Sequence, residues 1–144
     1  MAGKVHANHG RDHSAGGSDP IPGGIYPIKV ISDTQTLATG DGQFLFLVTA
    51  AEHLGGRTLV EVGAYVTTVS SSGTPTIQIR KVGVGDLLST RITIDVGDKS
   101  SDDAAVPSVI SGTYALVSTG DEFAIDVDVA GTGARGLGVI LRFA

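Results

Sequence analysis

Three of the four histidines lie close together near the start of the sequence, as His6, His9 and His13. Imidazole binds Zn²⁺, Ni²⁺ and Cu²⁺, so the spacing H-x2-H-x3-H is one that a metal site uses. The residues around it are mainly Gly, Ser, Asp and Pro, and the chain has no cysteine. Because such a segment has little to bury, it is not expected to hold ligands in a fixed geometry by itself. We therefore predict that these histidines contact a partner and do not form a metal site. The alternative is a metal site built from the histidines of several copies.

Carboxylates form two further groups. Asp126 and Asp128 lie two residues apart in an alternating segment, which places them on one strand face about 7 Å apart. Inverting glycosidases use a similar separation, but one member of such a pair needs a pKa raised by burial. The alternation predicts instead that both face solvent. The other group lies in and beside a polar loop and consists of Asp95, Asp98, Asp102 and Asp103. We predict that these carboxylates are solvated and do not form a Ca²⁺ site.

The remaining chemistry-bearing patterns are weak. The sequence contains no G-x-S-x-G nucleophile motif, and His53 is isolated, so we expect it to pack or cap locally. The glycine-rich stretch GTGARG at 131–136 lies between two predicted strands and does not precede a helix, so no helix N-terminus is available for a phosphate. We therefore predict a protein that is not an enzyme, with no catalytic residues and no cofactor.

Length and charge limit the partners. The 144 residues suit one domain, and the net charge of −5 disfavours nucleic acid, whose phosphates require a basic surface. The first ten residues have no apolar segment, and no run of about 18 apolar residues follows, which predicts neither a signal peptide nor a membrane-spanning helix. We expect synthesis in a cytoplasm, with no nucleic acid and no membrane as partner.

From residue 25 onward, apolar and polar residues alternate in short segments separated by Gly, Ser and Asp. Alternation with a period of two predicts strands, and only residues 49–56 fit a helical turn. The Ser/Gly turn before residue 74 and the turn at 131–136 each predict a hairpin. Eight segments are predicted as strands: 25–32, 43–51, 55–73, 74–82, 89–97, 107–118, 122–131 and 135–143.

These strands predict an all-β fold, namely a jelly-roll-type antiparallel β-sandwich of about eight strands with an extended N-terminal arm. An immunoglobulin-like sandwich is the alternative. Pro27 places the first strand at a sheet edge. The predicted domains are the arm at 1–24 and the sandwich at 25–144. Residues predicted to face inward in two of the strands are Ile92, Ile94 and Val96, and Phe123, Ile125, Val127 and Val129.

The arm contains the sequence HSAGGSDPI at 13–21. Its glycines adopt backbone angles closed to other residues, and its Asp-Pro step favours an extended or turned conformation. One apolar side chain follows as an anchor. We interpret the arm as a tether that gains shape on a partner surface. The residues predicted to make this contact are His9, His13, Gly16, Gly17, Asp19, Pro20 and Ile21.

Residues 13–21 resemble a motif of tailed-bacteriophage virion proteins, in which a histidine and a small spacer precede Gly-Gly-Ser/Ala-Asp-Pro-Ile/Leu. Residues 120–143 resemble the closing hairpin of phage β domains, in which GD opens one strand and a G-x-G-A-x-G-L turn leads to the last. The resemblance implies a virion structural protein on the particle exterior. We expect a capsid decoration protein, a homotrimer held on the major capsid protein by the arm. The alternative is a tail-tip or tail-fibre receptor-binding module, joined to a tail protein, whose loops 69–75, 98–105 and 130–136 contact a host-surface glycan or protein.

Overall fold

A computed structural model describes residues 24–144 of the chain. The predicted contact residues of the arm, His9, His13, Gly16, Gly17, Asp19, Pro20 and Ile21, lie outside this range. A 3-10 helix at Ala50–Glu52 confirms the predicted helical turn. The strands between residues 24 and 144 are β1 (Ile25–Lys29), β2 (Gly40–Leu47), β3 (Leu59–Thr68), β4 (Thr76–Lys81), β5 (Gly85–Asp86), β6 (Leu88–Thr90), β7 (Ile92–Thr93), β8 (Val109–Ile110), β9 (Glu122–Val129) and β10 (Arg135–Phe143).

Two antiparallel sheets form the body of the domain. The first sheet has the order β1-β10-β3, and the second has the order β2-β9-β4-β5, with β7 also pairing with β4. Strands β6 and β8 form a small separate pair. The all-β antiparallel sandwich predicted from the sequence is therefore confirmed, and β1 lies at a sheet edge as Pro27 predicted.

The jelly-roll connectivity stays a prediction. Successive strands β1, β2, β3 and β4 alternate between the two sheets, as a jelly roll requires. A jelly roll also has a fourth strand in each sheet. Among residues 24–144, the fourth place in the first sheet, beside β3, holds isolated bridges, from Thr58 to Leu116 and from Tyr65 to Ser100.

Alternating side chains of the two sheets meet in one core. Phe123 on β9 faces Phe143 on β10, with ring centroids 6.1 Å apart, and stacks against Phe46 at 6.4 Å. Tyr26 closes the cluster from β1, 5.6 Å from Phe46. These rings join both sheets because they come from strands of each. The remaining fully buried large residues are Val48, Leu54, Ile77, Ile79, Leu87, Ile92, Ile94, Ile125, Leu137 and Leu141.

Both predicted hairpins are wrong, because each connection crosses from one sheet to the other. The chain leaves the first sheet at the end of β3 and enters the second at β4, and it returns between β9 and β10. The two crossings are hydrogen-bonded to each other: Ser71 N donates to Thr132 O at 2.9 Å, and Thr132 N donates to Ser72 O at 2.8 Å. A turn and two alternating segments look alike in sequence whether the second strand pairs beside the first or packs opposite it.

Glycine is required where the crossings touch. Gly131 has a φ of 69°, and a Cβ there would lie 2.4 Å from Ser70 Oγ. The Ser70 hydroxyl is buried and lies 2.7 Å from the carbonyl oxygens of both Ser72 and Gly73. The close approach at Gly131 therefore holds the two crossings together as one unit.

Some inward assignments are also wrong at the ends of strands. Val96 is 48% exposed because the chain leaves β7 and turns, with Asp98 N bonded to Asp95 O. Val129 is exposed at the end of β9 for the same reason, since the sandwich no longer covers its side chain there. The segment 107–118, predicted as one bent strand, contains only the two residues of β8 and the bridge at Leu116.

Candidate binding surfaces

The two ends of the sandwich differ in what they contain. At one end, which we call the base, Phe143 N donates to Gly24 O at 2.9 Å, so the N-terminal arm enters the domain there. At the other end, which we call the tip, lie the crossing loops 69–75 and 130–136. Strand β10 runs from tip to base, and its nine residues span roughly 26 Å. The arm therefore joins the domain at the end opposite the crossing loops.

The tip is polar. The two crossing loops contain Ser, Gly and Thr with few apolar residues, and their backbones pair with each other. Gly97 N donates to Ser70 O at 3.0 Å, which brings the start of the third predicted receptor loop to the same end. From its start next to Gly97, the loop 98–105 turns away from the tip and follows β3, where Ser101 N donates to Ala64 O. The structure thus brings two of the three loops together and only the beginning of the third.

The base carries exposed apolar side chains. Leu47 and Val82 flank Glu122 across the second sheet, because Leu47 is in register with Glu122 and Val82 N donates to Glu122 O. Leu116, 58% exposed, lies nearby, since its carbonyl accepts a hydrogen bond from the Lys81 ammonium at 2.6 Å. None of these residues was predicted from the sequence as part of a binding surface. The signal was present for Leu47, because QFLFLV at 43–48 is apolar on both alternating faces.

A shallow concavity of about 260 Å³ lies on the outer face of the first sheet, next to the point where the arm enters. Its floor includes Val62 and Gly63 of β3, with Ile25 of β1 and Ile140 of β10 beside them. The register brings Ile25 next to Arg142, which pairs with Glu61 at 2.6 Å and closes one side. The rest of its lining is charged and consists of Glu61, Asp102 and Arg142.

Asp126 is not solvated, which corrects the sequence prediction. The residue is 4% exposed, and its carboxylate accepts three hydrogen bonds, from Arg80 Nε at 2.9 Å, Arg80 Nη2 at 3.1 Å and Gly42 N at 2.6 Å. The hydrogen bond to Asp126 raises the pKa of the Arg80 guanidinium. The strand does place Asp126 on the outer face, but β2 and Arg80 cover it. A carboxylate with all these donors is a structural ion pair, because its oxygens are already occupied.

Asp128, on the same face, is more exposed than Asp126 and pairs with Arg91 Nε at 2.6 Å. Burial raises the pKa of the Asp128 carboxyl, Arg91 opposes that shift, and the negative charges of Asp126, Asp41 and Asp86 add to it. The two aspartates therefore differ in environment, as in an acid–base pair, but Asp126 is held by Arg80.

We expect Asp128→Asn to stabilise the domain more at neutral pH than in acid. The folded protein holds the Asp128 proton more tightly than the unfolded chain does. Ionisation therefore costs stability as the pH rises from the ordinary pKa of 3.8 through the raised value. The asparagine avoids this cost, so its stability relative to the parent should increase between about pH 3.5 and about pH 7. Urea denaturation at both pH values measures it. Asp103→Asn in the exposed loop is the control, and an equal change there would contradict the assignment.

The other candidates have local structural roles. His53 follows the 3-10 helix with a φ of 54° and caps it, as predicted. Asp95 accepts a hydrogen bond from Ala105 N, closing the acidic loop, and within residues 24–144 no three His, Cys, Asp or Glu side chains group as metal ligands. Of the tyrosines that a glycan could stack on, Tyr26 belongs to the ring cluster, Tyr65 lies under Lys29 and Tyr114 packs near Gly85.

Comparison of the chain with protein-family models, with curated proteins and with solved structures finds no match. In the part of the chain that the structure describes, no helix has the length and apolar character needed to cross a membrane.

Proposed function

We propose that the protein is a non-enzymatic virion structural protein of a tailed bacteriophage, a decoration protein on the exterior of the capsid. One observation supports this most: the arm joins the domain at the apolar base, whereas the polar crossing loops lie at the opposite end. A domain attached by its base buries Leu47, Val82 and Leu116 at the contact and leaves the polar crossing loops in water. Burial of apolar side chains is the main source of such binding free energy.

The arm supplies the second part of the attachment. The partner in this proposal is the major capsid protein, and the contact residues are those predicted from the sequence, from His9 to Ile21. The homotrimer implied by the phage motif places three arms on one assembly. Linked contacts of this kind gain affinity because the second and third bind at high effective concentration. The mechanism therefore needs many modest contacts and no catalytic group.

A capsid-binding experiment tests the proposal. The full chain and a variant lacking residues 1–23 are mixed with undecorated capsids of the phage that encodes them, and the bound fraction is measured after sedimentation. We expect the truncated chain to lose more than about 100-fold in affinity. Thr132→Lys at the tip is the control and should bind like the parent. Equal binding of the truncated chain would refute attachment through the arm.

The alternative is a receptor-binding module at the tail, attached by the same arm to a tail protein. The observation that favours it is the convergence of the loops 69–75 and 130–136 at the tip. Antibody labelling of virions separates the two proposals. Label over the head supports decoration, whereas label confined to the tail, with binding of the isolated domain to host cells, supports the receptor-binding module.

A further inference from the structure

Two exposed apolar side chains of the base lie on either side of one carboxylate. Glu122 begins β9, with Leu47 of β2 in register on one side and Val82, which follows β4, on the other. Residues opposite each other on neighbouring strands have Cβ atoms about 5 Å apart. Leu47 is 53% exposed and Val82 is 41% exposed. The Glu122 carboxylate therefore lies in the middle of an apolar surface.

This surface is on the outer face of the second sheet. Phe123 and Phe46 stack inside the sandwich, so by alternation their neighbours Glu122 and Leu47 point outward. Leu45, two residues before Leu47, is 57% exposed and extends the surface along β2. We call these outward residues the base strip: Leu45, Leu47, Val82 and Glu122.

Within residues 24–144, no cation forms an ion pair with Glu122. The two cations of the adjacent strand β4, Arg80 and Lys81, are already paired. Arg80 lies 2.9 Å from the Asp126 carboxylate. Lys81 lies 3.1 Å from the Asp121 carboxylate. The domain therefore provides no counter-charge for Glu122 from this neighbouring strand.

A partner that covers Leu47 and Val82 also removes water from Glu122, because the carboxylate lies between them. Burying an unpaired carboxylate opposes the gain from apolar contact, whereas a hydrogen-bonded cation offsets the cost. Lys and Arg form charge-assisted hydrogen bonds, which are stronger than those from neutral donors. The net charge of −5 acts in the same direction, since it attracts the domain to a basic surface.

We propose that the base strip docks on an apolar surface of the major capsid protein that places one Lys or Arg side chain on the Glu122 carboxylate. This inference rests on the proposed function and adds the chemistry of the partner surface. Leu45, Leu47 and Val82 supply apolar contact area. Glu122 fixes the position of the contact, because a charge pair sets the register that apolar contacts alone leave open.

Binding of full-length Glu122 variants to undecorated capsids tests the pairing. We expect Glu122→Leu to bind at least about 30-fold more weakly, because it leaves the partner's cation buried without a counter-charge. If the partner surface had no cation, the added apolar side chain would preserve or raise the affinity, and that result would overturn the proposal. Glu122→Gln keeps a hydrogen-bond acceptor but no charge, and it should also bind more weakly. An affinity equal to that of the parent would indicate a neutral donor and would overturn the proposal as well.

Asp98→Asn is the matched control, because it removes one negative charge from a residue that is half-buried like Glu122 but lies at the tip, next to Gly97. It should bind like the parent. Urea denaturation without capsids tests whether the cation comes from this chain instead. A stability loss in Glu122→Leu that Lys4→Gln or Arg11→Gln reproduces would show that the arm occupies the base strip, which would overturn the proposal.

The same measurements separate this inference from the proposed function. If deletion of residues 1–23 abolishes capsid binding but Glu122→Leu binds like the parent, attachment through the arm stands and the pairing at Glu122 is wrong. A parent chain that does not bind capsids would overturn both.

Discussion

Replacing Phe123 by alanine is expected to lower the free energy of unfolding by about 4 kcal/mol. The ring is 1% exposed and lies between Phe46 and Phe143, so its removal opens a cavity where the two sheets meet. Truncating a large aromatic side chain in a core lowers stability most when neither neighbouring side chain can move in to fill the space. Here both neighbours are fixed on paired strands.

Urea denaturation of the parent and the Phe123→Ala variant measures this loss. Val96→Ala is the control: it also truncates an apolar side chain, but one that is exposed, and should change the stability by about 0.5 kcal/mol or less. A loss below about 1.5 kcal/mol for Phe123→Ala would show that the ring cluster does not join the two sheets.

The Arg80→Met variant is expected to be less stable by about 3 kcal/mol. Methionine preserves most of the side-chain volume but leaves the buried Asp126 carboxylate with only the hydrogen bond from Gly42 N. An uncompensated buried charge costs far more than a lost surface ion pair. Because the guanidinium is itself partly exposed, we place the effect at the lower end of the range for buried pairs.

Arg142→Met gives the matched comparison, because Arg142 pairs with Glu61 at 2.6 Å on an exposed surface. That variant should lose about 0.5 kcal/mol or less. Adding Asp126→Asn to Arg80→Met should recover part of the loss by removing the buried charge. Similar losses for the two arginine variants would mean that water reaches Asp126 in the folded protein.

Strand positions were largely predictable because they depend on local alternation. The strand predicted at 135–143 has the same limits in the structure, and that at 122–131 becomes Glu122–Val129. The predicted burial was wrong at strand ends, where Val96 and Val129 continue the alternation but the opposite sheet does not cover them. The prediction that Asp126 faces solvent was wrong for a different reason. A charged residue on an outer face is expected to be solvated, and only the fold brings Arg80 and Gly42 N to Asp126.

By itself, the sequence determined the all-β class, the edge position of the first strand and the local capping role of His53, because each depends on residues close together in the chain. The tertiary structure decided which strands pair, and it turned two expected hairpins into crossings between sheets. It also placed Gly24, where the arm meets the domain, and the crossing loops at opposite ends, and it joined Arg80 to Asp126 across 46 residues. These features depend on contacts between distant segments, and local alternation is the same whichever distant partner a strand finds.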